Sequence, residues 1–85
     1  MKTSNSFKIA DEMKLMTDKM YTIKMSDNID ADYVEMMIPH HETAVVMAKQ
    51  QLQFGKQDVL LELSKNIIDD QTFEINKFKN WQTKN

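Results

Sequence analysis

Cysteine is absent from this chain, and glycine and proline occur once each. Without cysteine there is no disulfide framework, no thiolate metal site and no thiol nucleophile. A single glycine rules out a glycine-rich phosphate loop. An excess of positive charge is missing too: eleven Lys and Arg stand against thirteen Asp and Glu, a net charge of −2. That balance argues against a nucleic-acid footprint and against a polybasic membrane anchor. No apolar run approaches the length of a signal h-region or a membrane span, so a protein without a leader or span in this chain is expected. A single domain of 85 residues buries only roughly 60 to 65 % of the surface its unfolded chain exposes, so a partner subunit or a ligand would help it.

What the chain has in abundance is methionine, eight of 85 residues. Set among Lys, Glu and Leu with so few breakers, this composition favours an all-helical fold. Three periodic segments follow. Ile9, Met13, Met16, Met20 and Ile23 recur at helical steps, with Ser4, Asn5 or Ser6 able to cap the start, and predict a helix over about 5–25. The polar stretch Ser26-Asp27-Asn28 ends it. A second helix over about 31–54 begins at Asp30 as N-cap, with Asp32 and Glu35 in the dipole-favoured first turn, and stops at Gly55 as C′ residue. Its core face carries Val34, Met37, His41, Ala44, Ala48 and Leu52. A third helix over about 58–82 has Leu60, Leu63, Ile67, Phe78 and Trp81 in one stripe. The expected architecture is an antiparallel, up-down-up three-helix unit. Leu61, Ile68, Phe73 and Val46 lie off these stripes, which predicts a homodimer that completes a larger bundle.

Two histidines and the one proline sit together in "MMIPHHETAVVMA", residues 36–48. Inside a helix Pro39 costs about 3 kcal/mol when nothing compensates, and it should kink helix 2 beside the histidines. The plainer option is a separate short helix over 30–38, with Pro39 opening the next. Gln71 and Glu74 interrupt the third stripe where apolar residues would continue it, and a buried carboxylate needs a partner. Folding the helices back at the breaks places His40 opposite Gln71, Met37 opposite Glu74, Met16 opposite His40 and Met20 opposite Met36. Imidazole and thioether form a soft donor set, suited to Cu(I) or Ag(I) and poorly suited to Mg, Ca or Mn. The candidate metal ligands are therefore His40, His41, Met36, Met37 and Met47 from helix 2 and Met16 or Met20 from helix 1, with Gln71 and Glu74 bonded behind the histidines. Taken singly, a methionine on a helical seam is more often core filler, and Met13 and Met25 read that way.

Other chemistries lack their residues. No Glu has a His three positions later, as a di-iron bundle requires. HExxH is absent, and the serines lie away from either histidine, so no catalytic triad forms. An enzyme is therefore not expected, and an iron or redox centre completed by a second subunit is disfavoured by the carboxylate count.

The stretches "DADYVEMMIPHHETAVVMAKQQLQFG" and "LSKNIIDDQTFEINKFKNW" resemble the domain of unknown function 305 family. The pattern is carried by Tyr33, Met37-Ile38, His40-His41, Ala44, Met47-Ala48, Ile67-Ile68, Gln71, Glu74-Ile75 and Trp81. It covers about residues 30–82, with residues 1–28 similar only as a Met-bearing amphipathic helix. The chain departs from it at Glu42-Thr43, where Gln-Gly is common, and at Phe78, where Met is common. The resemblance implies a ferritin-like helical bundle and, as in some relatives, copper binding or tolerance outside the cytoplasm. The sequence thus predicts a copper-binding protein, against an alternative in which a buried His-Glu/Gln layer serves a small interaction module that holds no metal.

Overall fold

A computed structural model describes residues 5–85, with side-chain surroundings from residue 9 onward. It consists of α1 (Asn5–Thr22), α2 (Ile29–Phe54) and α3 (Asp58–Lys84), and no strand is present among the described residues. Of the three residues expected to cap α1, Ser4 lies outside the described residues. The helix ends at Thr22, whose hydroxyl donates to the Lys19 carbonyl at 2.7 Å.

The break before α2 is built more tightly than its polarity suggested. Asn28, not Asp30, is the N-cap: its side-chain oxygen accepts from the Ala31 N–H at 3.1 Å. Asp30 falls inside the first turn, where its charge favours the positive end of the helix. Asp32 reaches back and accepts from both the Ser26 N–H, at 3.0 Å, and the Ser26 hydroxyl, at 2.8 Å. The loop is thereby tied to the first turn of the helix it precedes.

Helix α2 runs through Pro39 as one helix, so the two-helix option for residues 30–54 does not hold. Its C-cap, Gly55, has φ −77° and ψ 164°. This is extended backbone and not the left-handed turn expected of a C′ glycine. The glycine is needed for space: a Cβ there would collide with the Gln51 carboxamide and lie 2.5 Å from the Gln51 carbonyl oxygen.

The helices form a row. α2 packs against both α1 and α3, while no Cα of α1 comes within 8 Å of a Cα of α3 among the described residues. The Cα envelope, 46 × 28 × 15 Å, has the width of three helices and the thickness of little more than one. Two packed layers are the usual requirement for a hydrophobic core. Accordingly the buried apolar residues are few, Val34, Ala48 and Ile75, and no large side chain is fully buried among the described residues.

The row also corrects the expected seam of α3. Ser64 and Ile75 are buried, and Leu61, Ile68 and Gln71 half-buried. At about 100° per residue these five share one flank, and it is this flank that meets α2. Leu60, Leu63 and Ile67, expected at the core, lie on the neighbouring flank and remain 47, 50 and 40 % exposed. Leu61 and Ile68, expected off the seam, are on it. Phe73 stays outside, with the Lys77 ammonium 4.9 Å above its ring. α3 carries apolar side chains on both flanks, and periodicity does not say which one α2 takes.

Candidate metal centre

The middle of α2 aims its two histidines differently, because consecutive residues diverge by about 100°. His41 turns toward α3 and is 5 % exposed. Its Nδ1–H donates to the Met37 carbonyl at 3.0 Å, one turn back in the same helix, and Nε2 meets Glu74 Oε1 at 2.5 Å. A carbonyl and a carboxylate are both acceptors, so each ring nitrogen needs a hydrogen in its contact unless Glu74 itself carries the second one. Phe78 stands edge-on to the ring, 5.3 Å between centroids at 88°, and Tyr33 stands edge-on to Phe78 at 6.0 Å. The imidazole is thus held on two nitrogens and one face. Lys79 lies 3.8 Å from Glu42 on the exposed side of the same junction.

The expected partner of His41 was Glu74 or Gln71, and it is Glu74. The facing register differs from the expectation by one turn, however: Glu74 faces His41 and not Met37, which takes part through its carbonyl. Gln71 does not meet an imidazole, and its side-chain oxygen is buried with no hydrogen-bond partner.

His40 is exposed, with its ring centroid 6.1 Å from that of His41. Met36 precedes it by one turn and Met47 follows by two, so all three occupy one strip of α2 within about 40° of arc. Met36 and Met20 line the same small recess between α1 and α2, together with Thr17 and Tyr21, in accord with the expected pairing of these two methionines. Met47 lines a second recess, with Ala44 and with Ile9 of α1. Met16 and Met37 are half-buried, whereas Met25 is 58 % exposed, away from these residues near the end of the first segment. The candidate ligands therefore fall into two groups. His41 is engaged by the protein, while His40, Met36 and Met47 with Met20 nearby carry donors not committed to α3.

Among the described residues no three His, Asp or Glu side chains group so as to hold a metal ion. No helix among them is long and apolar enough to cross a membrane.

The packing around His41 went unread in the sequence. Phe78 was read as part of the apolar stripe of helix 3 and as a departure from a common methionine, not as a neighbour of His41, and the buried Thr43 and Ser64 carried no signal at all. Small residues at such points let helices approach closely, a role visible only once the neighbour is in place.

The paired histidines on α2 and the Gln-x-x-Glu segment of α3 have a counterpart in known sequences. Residues 2–82 match the family described as Domain of unknown function (DUF305). The chain belongs to this family. The match extends through α1, beyond the residue 30–82 core that carried the resemblance, so the Met-bearing first helix is part of the DUF305 unit. No curated protein matches the chain.

Proposed function

We propose that this DUF305 protein binds a soft monovalent ion, Cu(I) above all, and performs no catalysis. The observation that carries the reading is the strip Met36, His40, Met47, in which an uncommitted imidazole lies between two thioethers on one side of a helix, with Met20 sharing the recess of Met36. Thioethers are neutral and weakly hydrated, so such a set costs little to keep in an apolar setting, and it discriminates against hard cations. His40 is the leading imidazole ligand. His41 joins only by giving up Glu74, and otherwise braces the helix beneath its neighbour. Met37 of α2 and Met16 of α1, both half-buried, complete the proposed donor set, and Gln71 and Glu74 lie behind.

In this reading the helices run up, down and up as a ferritin-like unit, and a homodimer completes the bundle. By family resemblance the ion is handled outside the cytoplasm.

The test is a Cu(I) titration against a chromophoric competitor under anaerobic reducing conditions. His40→Ala should abolish tight binding and Met25→Ala leave it nearly unchanged, with Zn(II) competing poorly because it gains little from thioether sulfur. Equal, weak binding of Cu(I), Zn(II) and Ni(II), insensitive to His40→Ala, overturns the proposal. That result would favour the second reading, a helical interaction module whose His41–Glu74 bond sets register and partner choice.

A further inference from the structure

The two outer helices are held to α2 by different means. α3 is tied to it by the His41–Glu74 bond and by the Lys79–Glu42 pair. α1 packs on α2 alone, and the side-chain hydrogen bonds of its described residues stay within the helix: Lys14 to Asp18, Thr17 to Met13 and Thr22 to Lys19. From residue 9 to its end no side chain of α1 is buried, and the half-buried ones are Ile9, Glu12, Met16 and Met20. Ile9 shares one recess with Met47, and Met20 shares another with Met36. The attachment of α1 therefore depends on packing, and thioethers supply much of it.

A thioether is an apolar side chain that a mild oxidant makes polar, and such a change disrupts methionine-rich contacts. The chain has no cysteine to be oxidised first. Hydrogen peroxide has a way to the seam through the Met20–Met36 recess, about 320 Å³ in volume and bordered by Tyr21, which is 86 % exposed. One water needs about 10 to 15 Å³, so an oxidant of two oxygen atoms enters without parting the helices. The sulfur lone pair attacks one peroxide oxygen, the O–O bond breaks and water leaves. Sulfur is oxidised to the sulfoxide, and peroxide is reduced to water. The new oxygen is a strong acceptor, and the recess offers it little: the Thr17 hydroxyl already donates to the Met13 carbonyl at 3.0 Å, and Tyr21 is turned out to solvent. Water satisfies it best, and hydrating the seam means separating α1 from α2.

We infer that Met20 and Met36 form an oxidation site, and that sulfoxide formation there detaches α1 from α2 while α2 and α3 stay joined. Met13 and Met25, 43 and 58 % exposed, are oxidised as well, but their new oxygens meet solvent and displace nothing. The inference rests on the packing of α1 and not on the Cu(I) reading, and a metal-free sample keeps the two apart.

The experiment is hydrogen exchange read by mass spectrometry on the whole metal-free chain, before and after treatment with hydrogen peroxide, with the sulfoxides mapped by peptide. One added oxygen is expected on each of Met20 and Met36. The amides of residues 9–22 should then exchange at least about tenfold faster, while those of α3 keep their rates. Methionine sulfoxide reductases of both epimer specificities should restore the protection of α1, a test that needs no variant. Met20→Leu/Met36→Leu, similar in volume and without a sulfur to oxidise, should stay protected under peroxide, whereas Met13→Leu/Met25→Leu should behave as the wild type. Sulfoxide at Met20 and Met36 with unchanged exchange in α1 overturns the inference. So does peroxide that oxidises Met13 and Met25 fully and leaves Met20 and Met36 intact. An α1 that exchanges freely before treatment, or equal loss of protection in α3, rules out a local detachment. Loss of protection in Met20→Leu/Met36→Leu as large as in the wild type overturns the assignment to these two residues.

Discussion

His41 Nε2 lies 2.5 Å from Glu74 Oε1, although the imidazole is almost wholly buried and the carboxylate is 50 % exposed. The bond joins α2 to α3 at the point where Phe78 closes over the ring, so water reaches the acid but not the base. Half-exposure lets Glu74 keep part of its hydration while it satisfies a nitrogen that has no other partner. The pair thus avoids most of the desolvation cost that a fully buried ion pair would carry.

Glu74→Leu should lower stability by about 1 to 2 kcal/mol. The lost acceptor leaves the His41 nitrogen unsatisfied, at about 1 to 3 kcal/mol, and a half-exposed leucine recovers less than that. Glu74→Gln, whose carboxamide oxygen can still accept, should retain most of it. Urea unfolding reads both, and an unchanged midpoint for Glu74→Leu would show that the bond contributes nothing.

Asn28→Ala should cost about 1 kcal/mol through loss of the N-cap of α2, whereas Asp30→Ala should cost less. Thermal melts of the two variants compare the positions directly. A larger loss at Asp30 would move the cap back to where the sequence alone put it.

Gly55→Ala should destabilise. In an unstrained extended conformation the substitution would gain about 0.4 to 1 kcal/mol from the unfolded chain. Here the new methyl group meets the Gln51 carbonyl oxygen, a backbone atom that moves only with the end of α2, and crowding of this kind costs about 1 to 3 kcal/mol. A raised melting temperature would mean that the last turn of α2 yields without cost.

Cu(I) affinity should fall on acidification, because imidazole must shed a proton to bind while thioethers do not titrate. The same titration on His40→Met, which replaces the nitrogen by another thioether, should be flat with pH. A flat profile in the wild type would leave methionines alone as ligands.

The three helices and both breaks were legible because each depends on neighbours within a turn or two. Helical steps of Ile and Met, a polar stretch at 26–28 and one glycine place α1, α2 and α3 to within a few residues of where they stand. The pairing of Met20 with Met36 followed from loop lengths, and the His41–Glu74 contact from the need of a carboxylate in an apolar stripe for a donor. The cap at Asn28 was missed because Asp30 competes for the same role in sequence, and only the backbone turn at residue 28 separates them.

What the sequence determined by itself is the number and extent of the helices and the concentration of soft donors on one strip of α2. Which flank of α3 meets α2, and which histidine is committed, were decided by the tertiary structure. α3 is apolar over an arc wide enough for two neighbours, so Leu61–Ser64–Ile68 and Leu60–Leu63–Ile67 are equally good seams by periodicity. With α1 lying on the far side of α2, only one seam is covered. That choice turns His41 inward to Glu74 and leaves His40 facing out, since two adjacent side chains on a helix cannot point the same way.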